Sequence, residues 1–151
     1  METDFKKLFE YNCWANSKLI SGLKEQNAAD EKVLRLLSHI LLSEQIWMLR
    51  LEGGEYSNKN FWKVLTLDEC EYVLDENRKK FKGFVGKKNS ADLITYENSK
   101  GIKYTNSVYD VLTHVVFHSS YHRGQIAREV RMLKKEPVLS DYIAYIRENN
   151  L

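Results

Sequence analysis

Three of the four histidines in this 151-residue chain fall four residues apart, at His114, His118 and His122. They lie in the segment VLTHVVFHSSYHRGQIAREV, Val111–Val130. On a helix, which turns about 100° per residue, each histidine advances about 40° from the last, so the three stack along one side. Taking His118 as the origin, Val111, Val115, His122 and Ile126 fall within about 80° of it. His118 and His122 therefore sit inside an apolar stripe that only packing against other helices can bury. A buried imidazole beside a second one needs a partner that neither repels it nor leaves a lone pair empty. A divalent metal meets that need, because both rings stay neutral and donate to it.

The rest of the chain supplies helices to pack against this one. A first helix is expected over about Asp4 to Gln26, with Phe5, Phe9, Cys13, Ile20 and Leu23 on one apolar face and Asn16 projecting into it. Asp30 is a fitting N-cap for a second helix and Gly53-Gly54 a fitting stop. Between them VLRLLSHILLSEQIWMLRL is apolar on more than one side, as a helix central to a bundle must be. Leu36, Leu42, Ser43, Ile46 and Arg50 share the side of His39. After a loop with Tyr56, Phe61 and Trp62, Thr66 or Asp68 caps a third helix carrying Leu67, Tyr72, Val73, Phe81 and Phe84.

Gly83 and Asn89 then mark a break. DLITYEN and IKYTNS alternate loosely about Ser99-Lys100-Gly101, which reads as a short hairpin. Ser107 caps the histidine helix, which must end before Pro137. SDYIAYIREN closes the chain as a short helix capped by Ser140. One proline and seven glycines favour such long uninterrupted helices. The reading is a single all-α domain over residues 1–151 with one small hairpin.

Charge and cysteine usage exclude several classes of function. With 23 basic and 21 acidic side chains the formal charge is only +2, which gives no electrostatic case for nucleic acid or a membrane surface. The lysine-rich stretch from Arg78 to Lys88 interleaves with Phe81, Phe84 and Val85, as on the solvated side of an amphipathic helix. The first residues lack the apolar run of a signal peptide, and no apolar stretch is long enough to span a bilayer. Cys13 and Cys70 form no CxxC pair, so neither a disulfide framework nor a zinc knuckle is encoded. A cytoplasmic protein is expected.

The histidines now define the chemistry. Side chains at i and i+4 have Cβ atoms about 5–6 Å apart, and two imidazoles so placed can bind one ion at about 2.0–2.1 Å per nitrogen. Both His114/His118 and His118/His122 meet that spacing. A third ligand must come from elsewhere, and the remaining histidine is His39. An antiparallel second helix would bring it opposite His118 and His122. HxxxH alone is weak evidence, since surface or capped pairs are commoner. Two other architectures fail: no glutamate follows a histidine as HExxH requires, and no Glu-x-x-His pair of a di-iron bundle occurs. Three nitrogens with one open position are the arrangement of a catalytic site.

Three segments, YNCWAN (Tyr11–Asn16), SHILLSEQIWMLRL (Ser38–Leu51) and HVVFHSSYHRGQI (His114–Ile126), resemble the DinB family, and the similarity extends over essentially the whole chain. YHRGQI is its most specific part. The resemblance implies an up-down-down-up four-helix bundle with a metal at one end, held by the histidines that correspond to His39, His118 and His122. His114 fits as a neighbour more than a ligand. Family members of known activity transfer low-molecular-weight thiols such as bacillithiol, or isomerise maleylpyruvate with mycothiol. The family name refers to induction by DNA damage and implies no DNA binding.

Polar neighbours complete the expected site. Gln125 lies about 20° from His118 around the helix, placed to contact a bound water or substrate or to bond a carbonyl. Asn16 is placed to do the same, or to complete an interhelical hydrogen bond. Gly124 inside a helix costs about 1 kcal/mol against alanine, which points to close approach of another backbone or ligand. Asp110, four residues before His114, is placed to orient it. Tyr121 and Trp47 are expected as core and pocket wall, Arg123 in a structural ion pair away from the histidines, and Cys13 as a small buried hydrophobe.

The expected function is a metal-dependent enzyme that transfers a low-molecular-weight thiol to a small-molecule electrophile. The metal, zinc, nickel, iron or copper by its imidazole ligands, would lower the pKa of a thiol or water. Hydrolysis of a small substrate and a non-catalytic metal- or ligand-binding role remain open beside it. Aromatic side chains without evident internal partners, Trp62 and Tyr56 among them, point to a homodimer.

Overall fold

Four long helices, a hairpin and a closing helix follow one another as α1 (Glu2–Gln26), α2 (Glu31–Leu51), α3 (Leu67–Phe84), β1 (Leu93–Glu97), β2 (Lys103–Ser107), α4 (Val108–Met132) and α5 (Tyr142–Glu148). This computed structural model describes residues 2–54, 60, 62–84 and 87–151, with side chains from Phe5 onward. Tyr56, Phe61 and Val85, which the sequence places in a loop and on an amphipathic face, lie outside the described residues.

Side-chain pairs fix the helix directions. Phe9 stacks on Phe81 at 3.6 Å while Lys24 pairs with Asp68, so α1 and α3 run oppositely. Ser38 touches Cys70 and Glu44 bonds Asn77, so α2 and α3 run together. His39 meets His122 and Trp47 meets His114, so α4 opposes α2. The result is the up-down-down-up order, with α2 packed between α3 and α4. Leu37, Leu41, Met48 and Leu51 on its inner side are wholly buried, as expected for a central helix.

The termini are closed by the chemistry the sequence announced. Asp30 accepts from the Val33 amide at 2.9 Å, and Ser107 accepts from the Asp110 amide at 3.1 Å. Thr66 and Glu69 each accept from the other's backbone N–H, a reciprocal capping box at the start of α3. At α5 the cap is Asp141, not Ser140. The Asp141 carboxylate accepts from the Ala144 amide, while the Ser140 carbonyl is taken by the Tyr11 hydroxyl. Asp141 is also the last extended residue before the helix, which is the position a cap must hold.

Two positions depend on packing that spacing does not encode. Tyr72 is 67% exposed, because the buried side of α3 is set by Cys70, Leu74, Asn77, Phe81 and Phe84. No other backbone approaches Gly124 closely, since a Cβ there would meet no protein atom within 4 Å. The tight one is Gly22, whose Cβ would lie 2.3 Å from Val138 Cγ1.

β1 and β2 pair antiparallel with Tyr96 opposite Tyr104, and the turn uses Gly101 at φ 74, a left-handed conformation that suits glycine. The hairpin is tied to α2: Tyr96 meets the Trp47 ring edge-on at 5.0 Å, and Arg50 donates to the Glu97 carbonyl at 3.0 Å. Among the described residues no helix is long and apolar enough to cross a membrane.

Candidate metal centre

Antiparallel packing of α2 on α4 carries out what the histidine spacing promised. His118 Nε2 lies 3.2 Å from both His39 Nε2 and His122 Nε2. One ligand atom from each of the three lies within 4.8 Å of the others. Nitrogens about 2.0–2.1 Å from a tetrahedral ion stand roughly 3.3–3.4 Å apart, so the two spacings at His118 match one shared cation. The donor chemistry agrees. Each Nε2 carries either one proton or one lone pair, so His118 Nε2 can complete a hydrogen bond with one neighbour and opposes the other. A cation between three inward lone pairs satisfies all of them.

The outward ring nitrogens set that tautomer. His122 Nδ1 lies 2.6 Å from Gln125 Oε1; an amide oxygen only accepts, so the proton sits on Nδ1 and the Nε2 lone pair faces inward. His39 Nδ1 approaches Ser43 Oγ at 3.5 Å, a weak contact in which the hydroxyl can donate or accept. Gln125 thus reaches the site through the His122 ring, a contact that neither of its two expected roles named. Changing it to alanine should lower metal affinity about 10–100-fold, read by competition with a chelating dye, with the helix content unchanged.

Electrostatics keeps His118 neutral. Burial first, then the His122, His39 and His114 imidazoles, push His118 down to about 3. His114 is also lowered, by burial and then by Arg50. Its ring faces Trp47 at 5.1 Å, and it is not one of the three convergent ligands. Aromatic rings flank the others. Trp62 stacks flat on His39 at 3.8 Å, 45% exposed, so this tryptophan has the internal partner that the sequence did not disclose. Tyr121 meets His122 edge-on at 5.2 Å but is 67% exposed, a rim residue and not core.

The profile of the DinB family matches residues 1–150. The chain belongs to the DinB family. It is similar to Protein DinB of Bacillus subtilis (strain 168), 28% identical over 159 residues that cover 93% of this chain and 92% of that protein. It is also similar to the Uncharacterized protein YizA of the same organism, 25% identical over 149 residues covering 91% and 92% of the two chains.

Below the histidines of this DinB-family bundle lies a polar network that the sequence reading missed. Glu44 is 1% exposed. Its Oε1 accepts from Asn12, Asn16 and the Ser119 hydroxyl, and its Oε2 accepts from Asn77. Arg123 donates 2.8 Å bonds to the oxygens of the same Asn12 and Asn16. The two asparagines therefore bridge a buried carboxylate and a buried guanidinium. Burial pushes Glu44 up, opposed by its amide and hydroxyl donors and by Arg123.

Asn16 accordingly makes the interhelical bonds open to it, engaged at both ends of its amide by Glu44 and Arg123. Arg123 does point away from the histidines, as expected, but its counter-charge is reached through amides. Asp110 is spoken for by the α4 cap, where it accepts from Ser107 Oγ at 2.6 Å. A signal for Glu44 existed: Leu37, Leu41, Glu44, Met48 and Leu51 recur at 4-3-4-3 spacing, with one carboxylate in an apolar stripe.

Proposed function

We propose that this protein is a metal-dependent enzyme that transfers a low-molecular-weight thiol to a small electrophile. The convergence of three Nε2 atoms from α2 and α4 carries the reading. His39, His118 and His122 would hold a divalent transition metal, with zinc, nickel, iron and copper all suited to imidazole. When bound, such an ion supplies Lewis acidity that ionises a thiol, or water, near neutral pH. Gln125 keeps the outward His122 proton in place so that its Nε2 lone pair stays directed inward. Trp62 and Tyr121 shield two of the rings from water and offer an apolar surface to the electrophile.

The chain's own cysteines do not compete for the nucleophile's role. Burial pushes Cys13 up to about 12 and Cys70 up to about 11, and both are 3% exposed or less. The reactive thiol must arrive from solution.

A structural role for the ion is the second reading, because its ligands tie α2 to α4. One experiment separates the two. Metal-loaded, metal-stripped and reloaded protein are screened with low-molecular-weight thiols against electrophilic substrates, alongside thermal unfolding. Turnover that disappears on stripping and returns on reloading, with the fold retained, supports the enzyme. Unfolding on stripping, with no turnover in any form, supports the structural role, and turnover of an ester or amide without thiol moves the reading to hydrolysis.

Acid should empty the site. Protons compete with the ion for imidazole, and His118 titrates near pH 6.5 in an unfolded chain but at about 3 in the fold. The unfolded chain therefore binds more protons in that window. Stability present above about pH 6.5 is lost as pH falls toward 3, in the same direction as metal release. Metal occupancy and thiol-transfer rate followed together from about pH 8 down to 5 should fall together. A rate that stays flat in protein that has shed its metal contradicts the mechanism.

Pairing of two copies is proposed as well. Phe117 and Tyr121 are 69% and 67% exposed on α4, and exposed aromatic patches of this kind mark protein contacts. Sedimentation at roughly tens of micromolar should give a dimer; a monomer ends the idea.

A further inference from the structure

One sizeable cavity bounded by described residues lies away from the histidines. It is a groove of about 890 Å³ between α1 and α3, and none of the four histidines lines it. Ser17 and Ser21 are too small to fill the space that α1 leaves there. The stacked pair Phe9 and Phe81 forms an apolar floor, with Trp14 as a wall and the Lys18 ammonium 4.7 Å above its ring.

Charge on the groove is one-sided. Lys6, Lys18, Arg78 and Lys82 line it together with Glu10 and Glu148. Lys18 is tied to Glu148 at 2.6 Å, whereas Arg78 reaches Asp75 only at 4.0 Å. Among the described residues neither Lys6 nor Lys82 is paired with a carboxylate. Lys6, Arg78 and Lys82 against Glu10 leave an excess of two positive charges at the edge of the aromatic floor, in a chain of formal charge +2. The volume is within the roughly 300–1,000 Å³ of small-molecule sites.

We propose that the α1–α3 groove is a second ligand site, separate from the metal centre, that takes a small amphipathic organic anion: an aromatic or aliphatic body with one carboxylate or sulfonate. The body lies on Phe9, Phe81 and Trp14, and the anionic group is held by Arg78 and Lys82 at the rim, where the planar guanidinium can take both oxygens. The ligand is held without covalent attachment, since the Cys13 thiol in the floor is buried and stays protonated.

The probe is anilinonaphthalene sulfonate, titrated into full-length protein by fluorescence and then displaced by naphthylacetate or by the neutral naphthylethanol. One saturable site is expected, with the carboxylate displacing the probe well below the alcohol's concentration. The double change Arg78→Gln with Lys82→Gln, both on the surface, should weaken binding about tenfold or more. Ser17→Trp, which fills the groove, should abolish it. His39→Ala protein should bind the probe unchanged, because the site does not depend on the metal. Equal displacement by acid and alcohol, no effect of the double change, no saturable site, or loss of binding in His39→Ala would each overturn the proposal.

Discussion

His39→Ala is expected to empty the metal site while the bundle stays folded. His39 is the α2 contribution to a cluster whose other two members both come from α4. Without it, His118 and His122 remain as an i, i+4 pair able to bind an ion only at two points. The loss in affinity should exceed the roughly 100-fold upper end seen when an outer partner of a ligand is removed. His118→Ala and His122→Ala should behave alike, whereas His114→Ala should matter far less, since its ring faces Trp47 and lies outside the convergent set. Metal content after dialysis, beside circular dichroism, reads the result. Full retention in His39→Ala would take α2 out of the site and with it the cross-helix geometry.

The largest change in stability is expected at Glu44, away from the metal. Glu44→Ala removes the acceptor of Asn12, Asn16, Asn77 and Ser119 at once. It also leaves Arg123 buried at 5% exposure, with no carboxylate behind the bridging amides. Breaking a buried pair from one side costs about 3–5 kcal/mol, a large part of the roughly 5–15 kcal/mol that holds a domain folded. Glu44→Gln keeps one acceptor oxygen and should cost less. Urea unfolding tests both, and a loss under about 1 kcal/mol in Glu44→Ala would mean that water reaches the network.

The site was legible where spacing alone decides geometry. His118 and His122 must share a helix side, and His39 was the remaining imidazole, so the cluster needed only antiparallel packing. The caps at Asp30, Thr66 and Ser107 and the Gly101 turn were legible for the same reason, because each depends on residues a few positions away. Contacts made across the fold were not. Trp62 reaches His39 from a loop whose path no periodicity encodes. Gln125 was placed near the site, but the choice among its partners depended on where the His122 ring turned.

Glu44 shows a different limit. A glutamate within a helix is by default solvated, and its burial becomes intelligible only beside Asn12, Asn16 and Arg123, which arrive from two other helices. Ser140 lost its expected role for a similar reason: its carbonyl is engaged by Tyr11 from α1, leaving Asp141 to begin the helix. Tyr72 lies outward because α3 has two sides with aromatic residues, and only packing on α1 and α2 selects one.

Whether His39, His118 and His122 together hold a single ion is tested most directly by X-ray absorption on protein loaded with one equivalent of zinc. Three imidazole nitrogens at about 2.0–2.1 Å, with one further light-atom ligand, are expected. A first shell with two or fewer imidazoles, or one containing sulfur in a sample free of added thiol, would contradict the three-histidine centre.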